Sequence, residues 1–149
     1  MKTVVDANIL LRRAEATSSH HPVVLAAMTE LKRRGHDFML LPQAIYESWV
    51  VATRPKAQNG LGLIVAECVD ETAVFRTYTT FLPDDPLLTD VWLQLIADHQ
   101  CRGKIAHDAR YVAAIRTHGL SHLLTFNVAD FARFLGIVVL DPHAFATVS

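Results

Sequence analysis

The chain opens with Val4-Val5-Asp6-Ala7-Asn8-Ile9-Leu10, a β-branched run that ends abruptly in a carboxylate. Val and Ile favour strands because they pack well on a pleated surface. An acid directly after such a run is badly placed for a core. It is well placed at the carboxyl end of a buried strand, where open α/β sheets bind their ligands. Asn8 adds a second side-chain oxygen just beyond it. Three more acids stand at comparable junctions further along.

The remaining pattern alternates short apolar runs with amphipathic stretches. Thr3 to Val5 reads as the first buried strand, and Ala7 to Arg13 begins a helix that Ser18-Ser19-His20-His21-Pro22 interrupts. Pro22 to Arg34 repeats Val24, Leu25, Met28 and Leu31 on one stripe, with Pro at the start and Gly35 at the stop. Phe38 to Leu41 is a second strand. Pro42 starts a helix carrying Ile45, Tyr46, Glu47, Trp49 and Val50, which stops near Arg54-Pro55. Asn59-Gly60 opens a helix over roughly Leu61 to Thr72, and Val74 to Tyr78 reads as a third strand. After the Leu82 to Pro86 loop, a helix from Leu87 to Gln100 turns Val91, Trp92, Leu95 and Ile96 inward. Another helix includes Asp108 to Thr117, and His122 to Thr125 and Ile137 to Leu140 are the last two strands. Strands alternating with helices predict a mostly parallel sheet of about five strands, covered on both faces.

At 149 residues, residues 1–149 are expected to form one domain with a substantial core. A hydrophobic share of 51% and a net charge of −1 describe a folded globular chain and exclude a disordered one. No apolar run reaches the roughly 18 residues of a membrane span. The start lacks the apolar stretch and cleavage site of a secretory leader. With only Cys68 and Cys101, a reducing cytoplasm is the expected compartment. The basic residues are clustered despite the balanced total. Arg54, Lys104 and Arg110 are candidates for a phosphate-attracting rim, whereas Lys32-Arg33-Arg34 suits the C-terminus of a helix.

The four acids marked by context are Asp6, Glu47, Asp108 and Asp130. Each has an ordinary structural use: a helix cap for Asp6, an exposed helix position for Glu47, a favourable dipole for Asp108 and a turn for Asp130. What sets them apart is their coincidence at one sheet edge. Crowded carboxylates repel and raise one another's pKa unless a cation lies between them. Hard oxygen donors suit Mg²⁺ or Mn²⁺. Such ions supply what phosphodiester hydrolysis needs: an activated water, a neutralised phosphate and a stabilised leaving oxygen. The residues are therefore those of a metal-dependent nuclease.

These same residues resemble the signature of PIN-domain ribonucleases, particularly the VapC-type toxins of bacterial toxin–antitoxin pairs. Val-Val-Asp-Ala-Asn-Ile-Leu resembles the first acidic motif, and Glu47 in Ile-Tyr-Glu-Ser-Trp-Val the second. Gly103 to Ala114, with His-Asp-Ala-Arg-Tyr-Val-Ala-Ala, resembles the third. Leu-Leu-Thr-Phe-Asn-Val-Ala-Asp-Phe resembles the fourth, with Thr125, Asn127 and Asp130 in its polar positions. The likeness runs from residue 2 to about residue 141. It implies a three-layer α/β/α fold, Mg²⁺ or Mn²⁺ held by Asp6, Glu47, Asp108 and Asp130, and an RNA substrate. Asn8, Thr125 and Asn127 would orient water or phosphate. Many relatives carry Asp where this chain has Asn127, which implies weaker binding of a second ion.

Other chemistries find less support. The eight histidines include no His-Glu-x-x-His pattern or zinc-spaced Cys/His pair, and no phosphate-binding P-loop is present. An aspartyl-phosphate mechanism at Asp6 lacks a second acid at position 8. A catalytically inactive PIN-like module binding RNA or protein is the alternative function. Large apolar residues around Ile45, Trp49 and Val50, and around Leu61, Leu63, Ile64 and Val65, suit core packing first. Any surplus would suit a homodimer face or an antitoxin groove; the antitoxin itself is implied by the resemblance alone.

Overall fold

In the computed structural model, which describes residues 1–146, five strands form one sheet. In chain order the elements are β1 (Lys2–Val5), α1 (Ala7–Ala14), α2 (His21–Arg33), β2 (Asp37–Leu40), α3 (Pro42–Thr53), α4 (Val65–Thr77), β3 (Thr80–Phe81), α5 (Leu88–Asp98), α6 (Ile105–Thr117), β4 (His122–Leu124), β5 (Val138–Leu140) and α7 (Pro142–Phe145). Short 3₁₀ turns occupy Lys56–Gln58 and Val128–Phe131. The strand order is β3-β2-β1-β4-β5 and every pairing is parallel.

An all-parallel sheet must be covered on both faces, and its strands read as apolar runs for that reason. Val4, Val5, Leu40, Leu123 and Leu124 are fully buried. α5 packs on α6, while α1 contacts α2 and α3, α3 contacts α4, and α2 contacts α7. The result is the expected three-layer α/β/α architecture. The chain builds outward from β1 through β2 to β3, then returns to add β4 and β5 on the other side. That reversal leaves a crevice beyond the carboxyl ends of β1 and β4, the place where open sheets carry their ligands.

The expected third strand is corrected. Val74 to Tyr78 lies mostly in α4, which begins at Val65, later than Leu61, and runs on to Thr77. Residues 60–63 are held outside the helix because they serve the end of α3. Leu61 N–H donates to Val51 O, Gly62 N–H to Arg54 O and Leu63 N–H to Ala52 O, satisfying carbonyls that a helix end leaves open. The Glu67 carboxylate then accepts the Ile64 N–H at 3.3 Å and sets the start of α4. Cys68 and Phe75, two turns apart, share the buried face, so the β-favouring pair Val74-Phe75 continues the helix. The true β3, Thr80–Phe81, pairs with Met39 and Leu40.

The cations at the end of α2 are structural. Arg33 and Arg34 both donate to the buried Glu30 carboxylate, and Lys32 Nζ donates to Asp37 at 2.7 Å. No described helix is long and apolar enough to cross a membrane.

Candidate active site

Asp6 follows β1 directly. Its own N–H continues the ladder, donating to Leu124 O at 3.0 Å, and its extended backbone makes it the N-cap of α1. Oδ1 accepts the Ala7 N–H. Oδ2 accepts the Thr125 hydroxyl at 2.7 Å and, at 3.4 Å, the Asn8 amide. Asp6 therefore caps the helix and also presents a buried acid at the switch point. Burial raises its pKa, and the bonds from Thr125 and Ala7 only partly offset that cost.

Thr125 ends β4 and is completely buried. Its hydroxyl proton goes to Asp6, and its oxygen accepts the Asn127 N–H at 3.0 Å and Asn8 Nδ2 at 3.1 Å. Asn8 Oδ1 in turn accepts the Phe126 N–H at 3.4 Å. Thr125 and Asn8 thus brace the acid against the neighbouring loop. Asn127 is exposed, and its side chain makes no hydrogen bond among the described residues.

The other acids converge on this point. Asp108, in the first turn of α6, is 8% exposed, and its pKa is raised to about 6. Burial is the main cause, followed by the negative charges of Asp130 and Asp6, with a smaller push from Glu47; Lys104 opposes them. Glu47, in the middle of α3, is likewise raised by burial and by Asp6. Its Oε1 is buried with no hydrogen-bond partner. Asp130, in the 3₁₀ turn after β4, stays half-exposed and lies 3.7 Å from Lys104 Nζ. Asp108 thus lies within electrostatic reach of the other three sequence-marked acids, and Glu47 within reach of Asp6.

Two residues not singled out from sequence complete the neighbourhood. Tyr111 is buried, and its hydroxyl oxygen accepts the Ala7 N–H at 3.2 Å. Burial beside Asp6 and Glu47 holds the phenol protonated, its pKa pushed well above the ordinary value. Gln43 is buried at the start of α3, where its amide donates to His107 O at 2.8 Å and its oxygen accepts from Arg110 at 3.3 Å. Helical spacing holds the available signal: Tyr111 follows Asp108 by three and Gln43 precedes Glu47 by four, each on the acid's own helix face.

The three rim candidates diverge. Lys104 is exposed beside Asp130. Arg110 is engaged by Asp84 at 2.9 Å and by Gln43. Arg54 lies at the end of α3, ~10 Å along the helix from Glu47. There its Nη2 donates to Asn59 O at 3.3 Å and its Nε is buried without a partner. Arg54 therefore props the loop after α3 and stands away from the acids.

The donor set suits a hard divalent cation. Its oxygens are anionic, one buried carboxylate oxygen lacks any donor, and the acids hold one another's pKa high. Yet no three His, Cys, Asp or Glu side chains among the described residues are grouped as metal ligands. The acids converge without forming a ready-made coordination shell.

No protein-family model matches the chain, and no curated protein does. Solved structures do. VapBC2 of Rickettsia felis, bound to promoter DNA, superposes with a TM-score of 0.68 at 12% identity over 95% of this chain and 98% of that one. DNA-bound VapBC of Salmonella typhimurium gives 0.68 at 16% identity over 95% and 98%. VapC20 of Mycobacterium tuberculosis, a toxin that cleaves the sarcin-ricin loop, gives 0.60 at 16% identity over 81% and 86%. At these identities the likeness establishes the fold, which is the PIN-like α/β/α fold of VapC-type toxins.

Proposed function

We propose that the chain acts as one PIN-like unit that hydrolyses RNA phosphodiester bonds with Mg²⁺ or Mn²⁺, and that it is the toxin of a toxin–antitoxin pair. The observation that carries this reading is the convergence of Asp6, Glu47, Asp108 and Asp130 at the switch point, with Glu47 Oε1 buried and unpartnered. These four residues would hold the ion. When bound, it neutralises phosphate charge and makes water a better nucleophile. Asp6 is kept oriented by Thr125, Asn8 and the Ala7 N–H. Tyr111 is buried beside Asp6 and Glu47 and braces the start of α1 through the Ala7 N–H. Lys104 would offer a cation at the rim, and Asn127, two residues after Thr125, would orient water or phosphate.

The partners follow the same reading. The structures that match include VapBC assemblies and a toxin–antitoxin complex from Klebsiella pneumoniae, which supports a cognate antitoxin. Tyr46, Val50, Ile64, Val65 and Val69 are exposed on and around α3 and α4, which supports a homodimer. Two free cysteines suit a reducing cytoplasm.

Cleavage of single-stranded RNA with and without Mn²⁺ tests the reading. Wild type should cut only with the ion, whereas Asp6→Asn and Asp108→Asn should fold and not cut. One observation favours a second reading, an inactive module that binds RNA or protein: the described acids are not grouped as ligands. Calorimetric titration with Mn²⁺ separates the two, since the inactive module takes up no ion at these acids.

A further inference from the structure

Three aromatic rings from distant parts of the chain meet around Phe126, the residue after Thr125, and have no role in the arrangement described so far. His20 stands at the N-terminus of α2, Phe126 directly follows Thr125, and His143 lies in α7. Their ring centroids are 4.8 Å apart for His20–Phe126, 5.5 Å for Phe126–His143 and 5.6 Å for His20–His143, all edge-to-face. Phe126 and His20 are half-buried, while His143 is exposed. The cluster is tied to the acids by two hydrogen bonds in series. Phe126 N–H donates to Asn8 Oδ1, and Asn8 Nδ2 donates to Asp6 Oδ2, each at 3.4 Å.

Burial explains Phe126. It does not explain an exposed ring held edge-on by two others, one of them next in sequence to the Thr125 that braces Asp6. An aromatic ring fixed in advance loses little freedom when a flat ligand stacks on it. Unpaired RNA is recognised chiefly by such stacking on aromatic side chains, His included. The crevice itself is lined by acids, and among the rim candidates only Lys104 stands beside them, so stacking would add an attraction that does not depend on charge.

Building on the nuclease reading, we infer that His143, braced by Phe126 and His20, stacks a nucleobase of single-stranded RNA next to the phosphate that meets the acids. Its role is to position the strand.

The test uses the full chain and a fluorescein-labelled 12-nucleotide single-stranded RNA, read in two ways. Binding is followed by fluorescence anisotropy in EDTA, and cleavage by steady-state kinetics in Mn²⁺. His143→Ala should weaken binding and raise KM about tenfold, the usual scale for one lost stack, with an unchanged melting temperature. His143→Phe should restore both to within about twofold of wild type. Replacing bases one at a time by an abasic site should find one position where wild type loses that factor and His143→Ala loses nothing further. Equal binding by wild type and His143→Ala overturns the platform, as does failure of His143→Phe to rescue. Wild type that binds the RNA with this His143 dependence but never cleaves it overturns the nuclease reading and leaves the platform standing.

Discussion

The Thr125 hydroxyl donates a 2.7 Å hydrogen bond to Asp6 Oδ2 across 119 positions of sequence. The two residues end neighbouring strands, β1 and β4, on either side of the sheet's switch point. The bond orients an acid that burial would otherwise drive toward its neutral form. Thr125→Val keeps the shape and removes the donor. It should cost about 1–3 kcal/mol, the range for leaving a buried polar group without its partner. Thr125→Ser should recover most of that, and urea unfolding midpoints measure both.

Asp108 makes the protein's stability respond to pH and to metal in opposite directions. Its folded pKa of about 6 lies above the ordinary 3.8. The folded state therefore holds the proton more tightly than the unfolded chain. This contribution is fully present below pH 3.8 and is lost as pH rises through about 6. In EDTA, Asp108→Asn should stabilise the protein at pH 7.5 by on the order of 1 kcal/mol, solvent screening included. The gain should shrink toward pH 4.5. Mn²⁺ should raise the melting temperature of wild type and leave Asp108→Asn unmoved, as differential scanning fluorimetry would read directly.

Glu30 behaves in the opposite sense. Arg33 and Arg34 hold its carboxylate down to about 2, against an ordinary 4.5. Its contribution is present above pH 4.5 and lost as pH falls toward 2. Glu30→Gln should lower the melting temperature at pH 7. The two proteins should converge as the pH is brought down through that window, which a pH series of thermal melts would check.

Gly60 is required by contact. A Cβ there would collide with the carbonyl of Arg54, the residue whose Nη2 anchors the same loop through Asn59 O. Both sides of the collision are backbone, so neither can turn aside. Gly60→Ala should destabilise by roughly 2 kcal/mol, the scale of overpacking a tight site. RNA cleavage per folded molecule should be unchanged, since the loop stands away from the acids. Chemical denaturation and an activity assay on the folded fraction together test this.

Tyr111→Phe removes the oxygen that accepts the Ala7 N–H and leaves the packing of the ring intact. Because Asp6 Oδ1 also accepts that N–H, the stability loss should be modest, about 1 kcal/mol. The phenol also counters the raised pKa of Glu47. Its removal should therefore shift the acidic limb of the pH–activity profile upward. An unmoved limb would show that the hydroxyl serves only the fold.

Local pattern carried most of the architecture. The β-branched run ending at Asp6, the helix starts at Pro22 and Pro42 and the stop at Gly35 all lie where periodicity and punctuation put them, because each rests on neighbours a few residues away. The third strand was not legible. Val74 and Phe75 have strand-forming side chains, but Phe75 shares a buried face with Cys68 two turns earlier, and that packing overrides propensity. Arg54 read as a free cation for the same kind of reason. Nothing in its neighbours shows that the loop after α3 folds back around it.

What the sequence determined by itself was the inventory: which residues are acids, and that each has apolar neighbours. Only the tertiary structure decided that they meet. Asp6, Glu47, Asp108 and Asp130 come from four separate segments; the strand order sets β1 beside β4, and helix packing brings Glu47 of α3 and Asp108 of α6 within reach of Asp6. The same packing recruits Tyr111 and Gln43, whose one sequence signal is their helical spacing from Asp108 and Glu47. Hydrophobic burial chooses the strand order, and the charges are then held together by a core to which they contribute nothing.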